Sequence, residues 1–302
     1  MSTPRDAAGR RAIAAAFGAA FGSFCAGTTL VAIRSLSGEA DSLTVTLLRV
    51  AVGTALLLPF AVLIGRGWPR GRDVLVLAAA GVLMFGVGQW LISASLLHTS
   101  AARGGILASA TPFITFVMAV LVGAERFTLR KISGIACAMA GAALALWQDA
   151  SAVPGGWRGD LLMLAGATTV SIFNVATRRI VRRFDPFVFI IATMLPGTLF
   201  LAAVAFASGL PVVRFDYSAE GWLAILYIGV AGSAVTYGVT LWALRHTTPT
   251  RVSVAITMNP VDALLGASVI LGEPLTAGML IGLAAIVVGI ALTNWQRRGV
   301  PA

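Results

Sequence analysis

The chain has one lysine, two histidines and two cysteines in 302 residues. Both cysteines, Cys25 and Cys137, fall inside apolar runs, which excludes a disulfide framework and a thiolate metal cluster. Acidic residues are also few: twelve Asp and Glu, of which only Asp262 lies within an apolar run. An intramembrane enzyme acting through Asp262 would need a second acid or a nucleophile at the same depth, and no other acid is placed there. No CxxC, HExxH, P-loop or Gly-x-Ser-x-Gly sequence occurs. No catalytic residue, metal site or cofactor is assigned, and an enzyme is not expected. Charged residues of all kinds make up 11%, against roughly 25% in a soluble domain.

What the chain has in plenty is apolar residues, at 58%. A bilayer core of about 30 Å needs ~20 of them per helix. Ten spans satisfy this: 12–33, 43–64, 74–97, 104–124, 132–148, 161–177, 187–208, 221–244, 252–272 and 275–294. The first is too long and uninterrupted for a cleaved signal peptide and reads as a retained anchor. Lysine and arginine count 17 in the segments on one side of this arrangement and 4 on the other, with Arg49 inside a span. By the positive-inside rule both termini are cytoplasmic, and a bacterial inner membrane is the expected location. The net charge of +10 is thereby explained by loop placement, and no nucleic-acid partner is expected. The expected partners are the lipid bilayer and a small-molecule substrate, with a homodimer left open.

The spans are not independent. At an offset of 148, His98 meets His246, Arg103 meets Arg251, Pro112 meets Pro260 and Glu125 meets Glu273. Trp147-Gln148 then meets Trp295-Gln296, and at an offset of 144 Arg34 meets Arg178 and Asp41 meets Asp185. Matches through rare residue types at a fixed offset mark an internal duplication. The fold class is therefore an all-α polytopic membrane protein built from two five-helix repeats, residues 1–150 and 151–302. Five is odd, so the second repeat enters the membrane from the opposite side. Inverted repeats of this kind enclose a substrate site near the midplane in secondary transporters.

Polar residues in lipid must face protein or water, and they segregate by span. Spans 1, 3, 4, 6, 8 and 9 carry them, whereas the apolar stretches of 5 and 10 do not, which makes those two packing or subunit-contact helices. Any single Ser or Thr is accounted for by a bond to its own helix carbonyl; the segregation is the informative part. Candidate substrate-binding residues in the first six are Phe24, Thr28, Phe85, Gln89, Trp90, Asn174, Tyr237 and Asn259. Arg49 lies about 9 Å into its span and Asp262 at the centre of its own. They either pair with each other or hold opposite ends of a zwitterion; a purely structural ion pair, or a snorkelling Arg49, is the plain alternative. Pro112 and Pro260, near mid-span, are candidate hinges, since proline removes the bond to the carbonyl four residues earlier. His98 and His246 read as interfacial residues, and Glu125 and Glu273 as loop-setting ones.

Each repeat carries a matching block, Ala110-Thr111-Pro112 to Gly123-Ala124-Glu125 and Met258-Asn259-Pro260 to Leu271-Gly272-Glu273. Both blocks precede a Gly-spaced apolar helix (Gly134/Gly141 and Gly282/Gly289). Over roughly residues 12 to 295 the chain thus resembles the EamA family of the drug/metabolite transporter superfamily. The resemblance implies export of small metabolites through a central cavity without ATP hydrolysis, and it is nearest to the bacterial aromatic amino-acid exporters. One cation in the cavity is too few for organic phosphates or nucleotide sugars. Span 1 lacks the glutamate on which the superfamily's small multidrug exporters rely, which weakens proton-coupled export of cationic drugs; export of drugs, quaternary cations or other metabolites is the alternative. A channel would show flux without saturation.

Overall fold

The computed structural model describes residues 4–124, 129–148, 156–209, 217–246 and 259–294. Among them there is no strand; the chain is a succession of helices. Helix α1 is Pro4–Ser35 and α2 is Ser42–Ile64. Helix α3 runs over Arg72–Ser95 with a π segment at Val82–Gly88. Helix α4, Ala101–Leu121, is made of Ala101–Ala108 and Thr111–Leu121. Then come α5 (Leu129–Gln148), α6 (Trp157–Thr177) and α7 (Pro186–Ala207). Helix α8 joins Ala219–Gly229, a π segment Val230–Val235, and Thr236–His246. Helices α9 (Asn259–Leu271) and α10 (Ala277–Asn294) complete the described chain. Seven of these runs are long and apolar enough to cross a membrane; α9, Ile132–Gly141 of α5 and Ala277–Gly289 of α10 are shorter apolar helices.

Local chemistry sets the helix ends. Asp41 caps α2 by accepting from the Leu43 and Thr44 amides at 3.0 and 2.9 Å. Its counterpart Asp185 caps α7 through the Phe187 amide at 2.9 Å. Gly123 and Gly272, with φ of +69° and +67°, follow α4 and α9 in the left-handed conformation that glycine adopts freely. Glu125, Thr128, Arg251 and the 252–258 part of span 9 lie outside the described residues, as do Trp295 and Gln296.

Two expectations need correction. Span 4 is not one continuous helix kinked at Pro112. It breaks at Ser109–Ala110, and Pro112 sits in the first turn of the second piece. There its missing N–H has no intrahelical partner to lose, and the Thr111 hydroxyl donates to the Ala108 carbonyl that Pro112 cannot reach (2.7 Å). Spans 3 and 8 are not plain α-helices either. Each widens into a π segment, and the two segments begin 148 residues apart, directly after Gly81 and Gly229. A methyl at Gly81 would collide with the Thr193 carbonyl, and one at Gly229 would lie 2.7 Å from Val52.

The packing pairs helices with a definite sense. Helix α2 runs against α7: Thr54 and Thr198 hydroxyls meet at 3.1 Å, and Phe60 stacks on Phe187 at 6.0 Å. Helix α5 runs against α10: Cys137 Sγ lies 3.5 Å from Ala285 O, and a methyl at Gly141 would lie 2.6 Å from Gly282 O. Both pairings are antiparallel, since later residues of one helix meet earlier residues of the other. Helix α1 packs on α8 and α9, while α6 packs on α3 and α4. A methyl at Gly22 would lie 3.5 Å from Thr236 O, and one at Gly166 would lie 3.2 Å from Gly88 O. These are the same contact shifted by 144 on one side and 148 on the other.

Candidate functional site

Arg49 is buried in α2, 7% exposed. Gly53, one turn further, brings α2 against the π segment of α8, where an added methyl would lie 2.5 Å from Ser233 Cβ. In the wider turn of a π segment the carbonyls leave the regular helix ladder, and the Gly232 oxygen accepts from Arg49 Nη2 at 3.3 Å. Arg49 Nε has no hydrogen-bond partner among the described residues. A guanidinium offers five donors in a fixed fork suited to carboxylates. One long bond to a carbonyl ties α2 to α8 and leaves most of that capacity unused.

Aromatic rings stand beside it. Tyr237 follows in α8, five residues beyond the Gly232 whose carbonyl Arg49 reaches. Phe85, from the π segment of α3, meets Tyr237 edge-on at 5.3 Å and Phe173 of α6 at 6.3 Å. Phe173 in turn lies 6.1 Å from Phe189. Gln89 is buried one turn beyond Phe85. Five helices thus bring together a cation and a set of ring faces and edges, the complement of a carboxylate on a flat apolar body.

A second polar seam joins α1 to α9. Ser23 Oγ donates to Asn259 Oδ1 at 2.6 Å. A methyl at Gly27 would lie 2.7 Å from both Asn259 O and Asp262 Cβ, so the two backbones touch. Asp262 is half-buried here and makes no ion pair with Arg49. Gly27 faces Asp262, whereas Thr29 faces Gly232, the residue that Arg49 reaches. Two residues turn a helix by about 200°, so α1 stands between the acid and the base. The expected pairing is absent from this conformation.

The remaining candidates are dispersed. Thr28 Oγ1 and Tyr227 OH share a bond of 2.6 Å. Trp90 Nε1 donates to Ser42 Oγ at 3.1 Å, at the end of α2 away from the arginine-rich loops. Phe24 and Asn174 are exposed, Pro112 is exposed and Pro260 buried. Sequence reasoning missed the Gly232 carbonyl, because a backbone oxygen has no residue-type signature; the Gly-rich stretch around it was the available signal. Ser93 Oγ and Thr115 Oγ1 are also buried without a partner among the described residues.

The profile of the EamA-like transporter family matches residues 13–147 and again 157–295. A WAT1-related chloroplast protein of Arabidopsis thaliana is 28% identical over 89% of this chain, and the match spans 66% of that relative's length. A protein of Streptantibioticus cattleyicolor named "Probable terminal-alkyne amino-acid exporter" is 26% identical over 84% of both chains. The uncharacterized inner membrane transporter YedA of Escherichia coli K12 is 24% identical over 95% of this chain and 92% of its own. A solved crystal structure superposes with a TM-score of 0.66 at 20% identity, covering 92% of this chain and 96% of that one. At that identity the likeness concerns the fold alone.

Proposed function

The chain belongs to the EamA-like transporter family, and from that premise we propose that it is a secondary transporter exporting amino acids with aromatic or other neutral side chains. The site is central, between two inverted halves, residues 1–150 and 151–302, with ten spans and both termini in the cytoplasm of a bacterial inner membrane. Three features support the inverted arrangement. The family profile matches twice. Thr54 touches Thr198 and Cys137 touches Ala285, each residue meeting its own counterpart at the offset of 144 or 148. Counterparts that meet across antiparallel helices are what a two-fold axis between the halves produces. In both pairs the counterpart helices are antiparallel, as an axis lying in the membrane plane requires. The 17-to-4 distribution of Lys and Arg supports the orientation.

The observation that carries the substrate class is the buried Arg49 guanidinium, its Nε unpartnered among the described residues, held by the helix that also carries Tyr237, whose ring Phe85 meets edge-on. A charge held in a span costs about 2.5–3.5 kcal/mol on insertion scales, and a substrate carboxylate offsets that cost during transport. The amino-acid exporter among the relatives agrees with this class. The test is uptake of a panel of radiolabelled amino acids into proteoliposomes, with and without a pH gradient. Saturable uptake that unlabelled substrate competes away, and that Arg49→Gln loses, is expected. Linear, uncompeted flux indicates a channel, and unchanged transport by Arg49→Gln removes the carboxylate assignment.

A further inference from the structure

At the arginine-poor end of the bundle, the first piece of α4 is buried on every face from Ala101 to Leu107. Past the break at Ser109–Ala110, burial becomes partial. Two ties hold the buried piece. The Glu273 carboxylate accepts from the Ala101 and Ala102 amides, both at 3.0 Å, and Ser100 Oγ accepts from the Arg103 amide at 3.1 Å. Those are the amides a helix start leaves without partners. The second tie is a fork: Arg103 Nε donates to Asp160 Oδ1 at 2.8 Å and Nη2 to Oδ2 at 2.6 Å. Both carboxylates belong to the second half of the chain, so both ties cross between halves.

Among the described residues the far end shows only exposed ties between the halves, one of them Arg178 Nη1 donating to the Ala124 carbonyl at 2.9 Å. Asp160 corresponds to Ala16 at the offset of 144, so the duplication supplies no acid to face Arg251, the counterpart of Arg103. The cross-half ion pair at the arginine-rich end, Arg183 with Asp73, has side chains 62% and 26% exposed, against 11% and 14% for Arg103 and Asp160. Exposed pairs contribute little and a desolvated bidentate pair contributes more. Among the described residues the two ends are therefore closed with unequal strength, and the Arg103–Asp160 fork is the tie that the duplication does not repeat.

We propose that Ala101–Ala108 is the outer gate of the transporter, latched by Asp160 on Arg103 and by Glu273 on the helix start. The one-sided latch keeps the resting protein shut to the outside, so that it loads from the cytoplasm, the direction an exporter needs. The proposal rests on the transport reading and orientation given above. Its break at Ser109–Ala110 is the place where the gate swings, the role expected of an element-terminal hinge.

The test places a single cysteine at Leu107, a residue of the gate itself that is 4% exposed while the gate is shut, in a Cys25→Ser, Cys137→Ala background. A membrane-impermeant maleimide is then added to intact cells. Labelling is expected to be slow in this parent. Asp160→Asn is expected to speed it about tenfold, the population shift that loss of one strong charged pair produces, and Asp160→Glu to leave it slow. Glu273→Ala is expected to speed labelling through the other tie, and it decides the matter if Asp160→Asn does not fold. Labelling that stays slow in a folded Asp160→Asn or Glu273→Ala protein overturns the latch. Counterflow on the same proteins separates the two readings. A parent that exchanges substrate while the variants label no faster refutes the latch alone; faster labelling without exchange by any protein upholds the latch and refutes the substrate.

Discussion

Arg49 was visible in the sequence because it is the only base inside a span. Its rarity marked it, and the fold gives it burial and an aromatic setting. The partner it finds, the Gly232 carbonyl, was not visible, since π segments leave no side-chain mark. Asp160 was missed for a different reason. It lies one residue outside the apolar run of span 6, where hydropathy gives it no weight, whereas α6 begins at Trp157 and places it in the first helical turn. At this scale the account predicts that Arg49→Lys keeps the charge but loses the planar fork. Its KM for the transported amino acid is expected to rise about tenfold with the maximal rate less affected, read from initial uptake rates. A KM unchanged by lysine means that only the charge matters.

Among the elements, the antiparallel and crossed packings rest on glycines at which backbones touch. Gly27 is the tightest of the α1–α9 seam, and Gly141 of the α5–α10 seam. Small residues at helix crossings allow this approach in membranes, where van der Waals packing drives association. Gly27→Val is expected to destabilise the detergent-solubilised protein by about 1–3 kcal/mol through overpacking, measured as a lowered thermal midpoint. Ser100→Ala removes a cap and is expected to cost ~1 kcal/mol in the same measurement. The glycine spacing of α5 and α10 was legible and their mutual packing follows it. The break in α4 was only half legible: Pro112 signalled an interruption, but the position followed from the Ser109–Ala110 turn and the Thr111 hydroxyl. Both π segments went unforeseen because hydrophobic periodicity is too coarse to register one extra residue per turn.

For the molecule as a whole, the duplication was the most legible feature, because rare residues recur at a constant offset. What the sequence could not supply was which residues of the two copies touch. The Thr54–Thr198 and Cys137–Ala285 contacts add that. On the proposed reading, alternating access has a plain physical basis: two halves of one shape, opposed in the bilayer, would rock about a shared axis. The proposed export direction needs an asymmetry from residues the duplication did not copy, and Arg49, Asp160 and Asp262 are three of these. The central claim is the opposed insertion of the two halves, and single-cysteine labelling tests it most directly. Ser35 and Arg179 are exposed counterparts at the offset of 144. With an impermeant maleimide on intact cells, Ser35→Cys is predicted to label at once and Arg179→Cys only after the membrane is permeabilised; labelling of both from the same side contradicts the account.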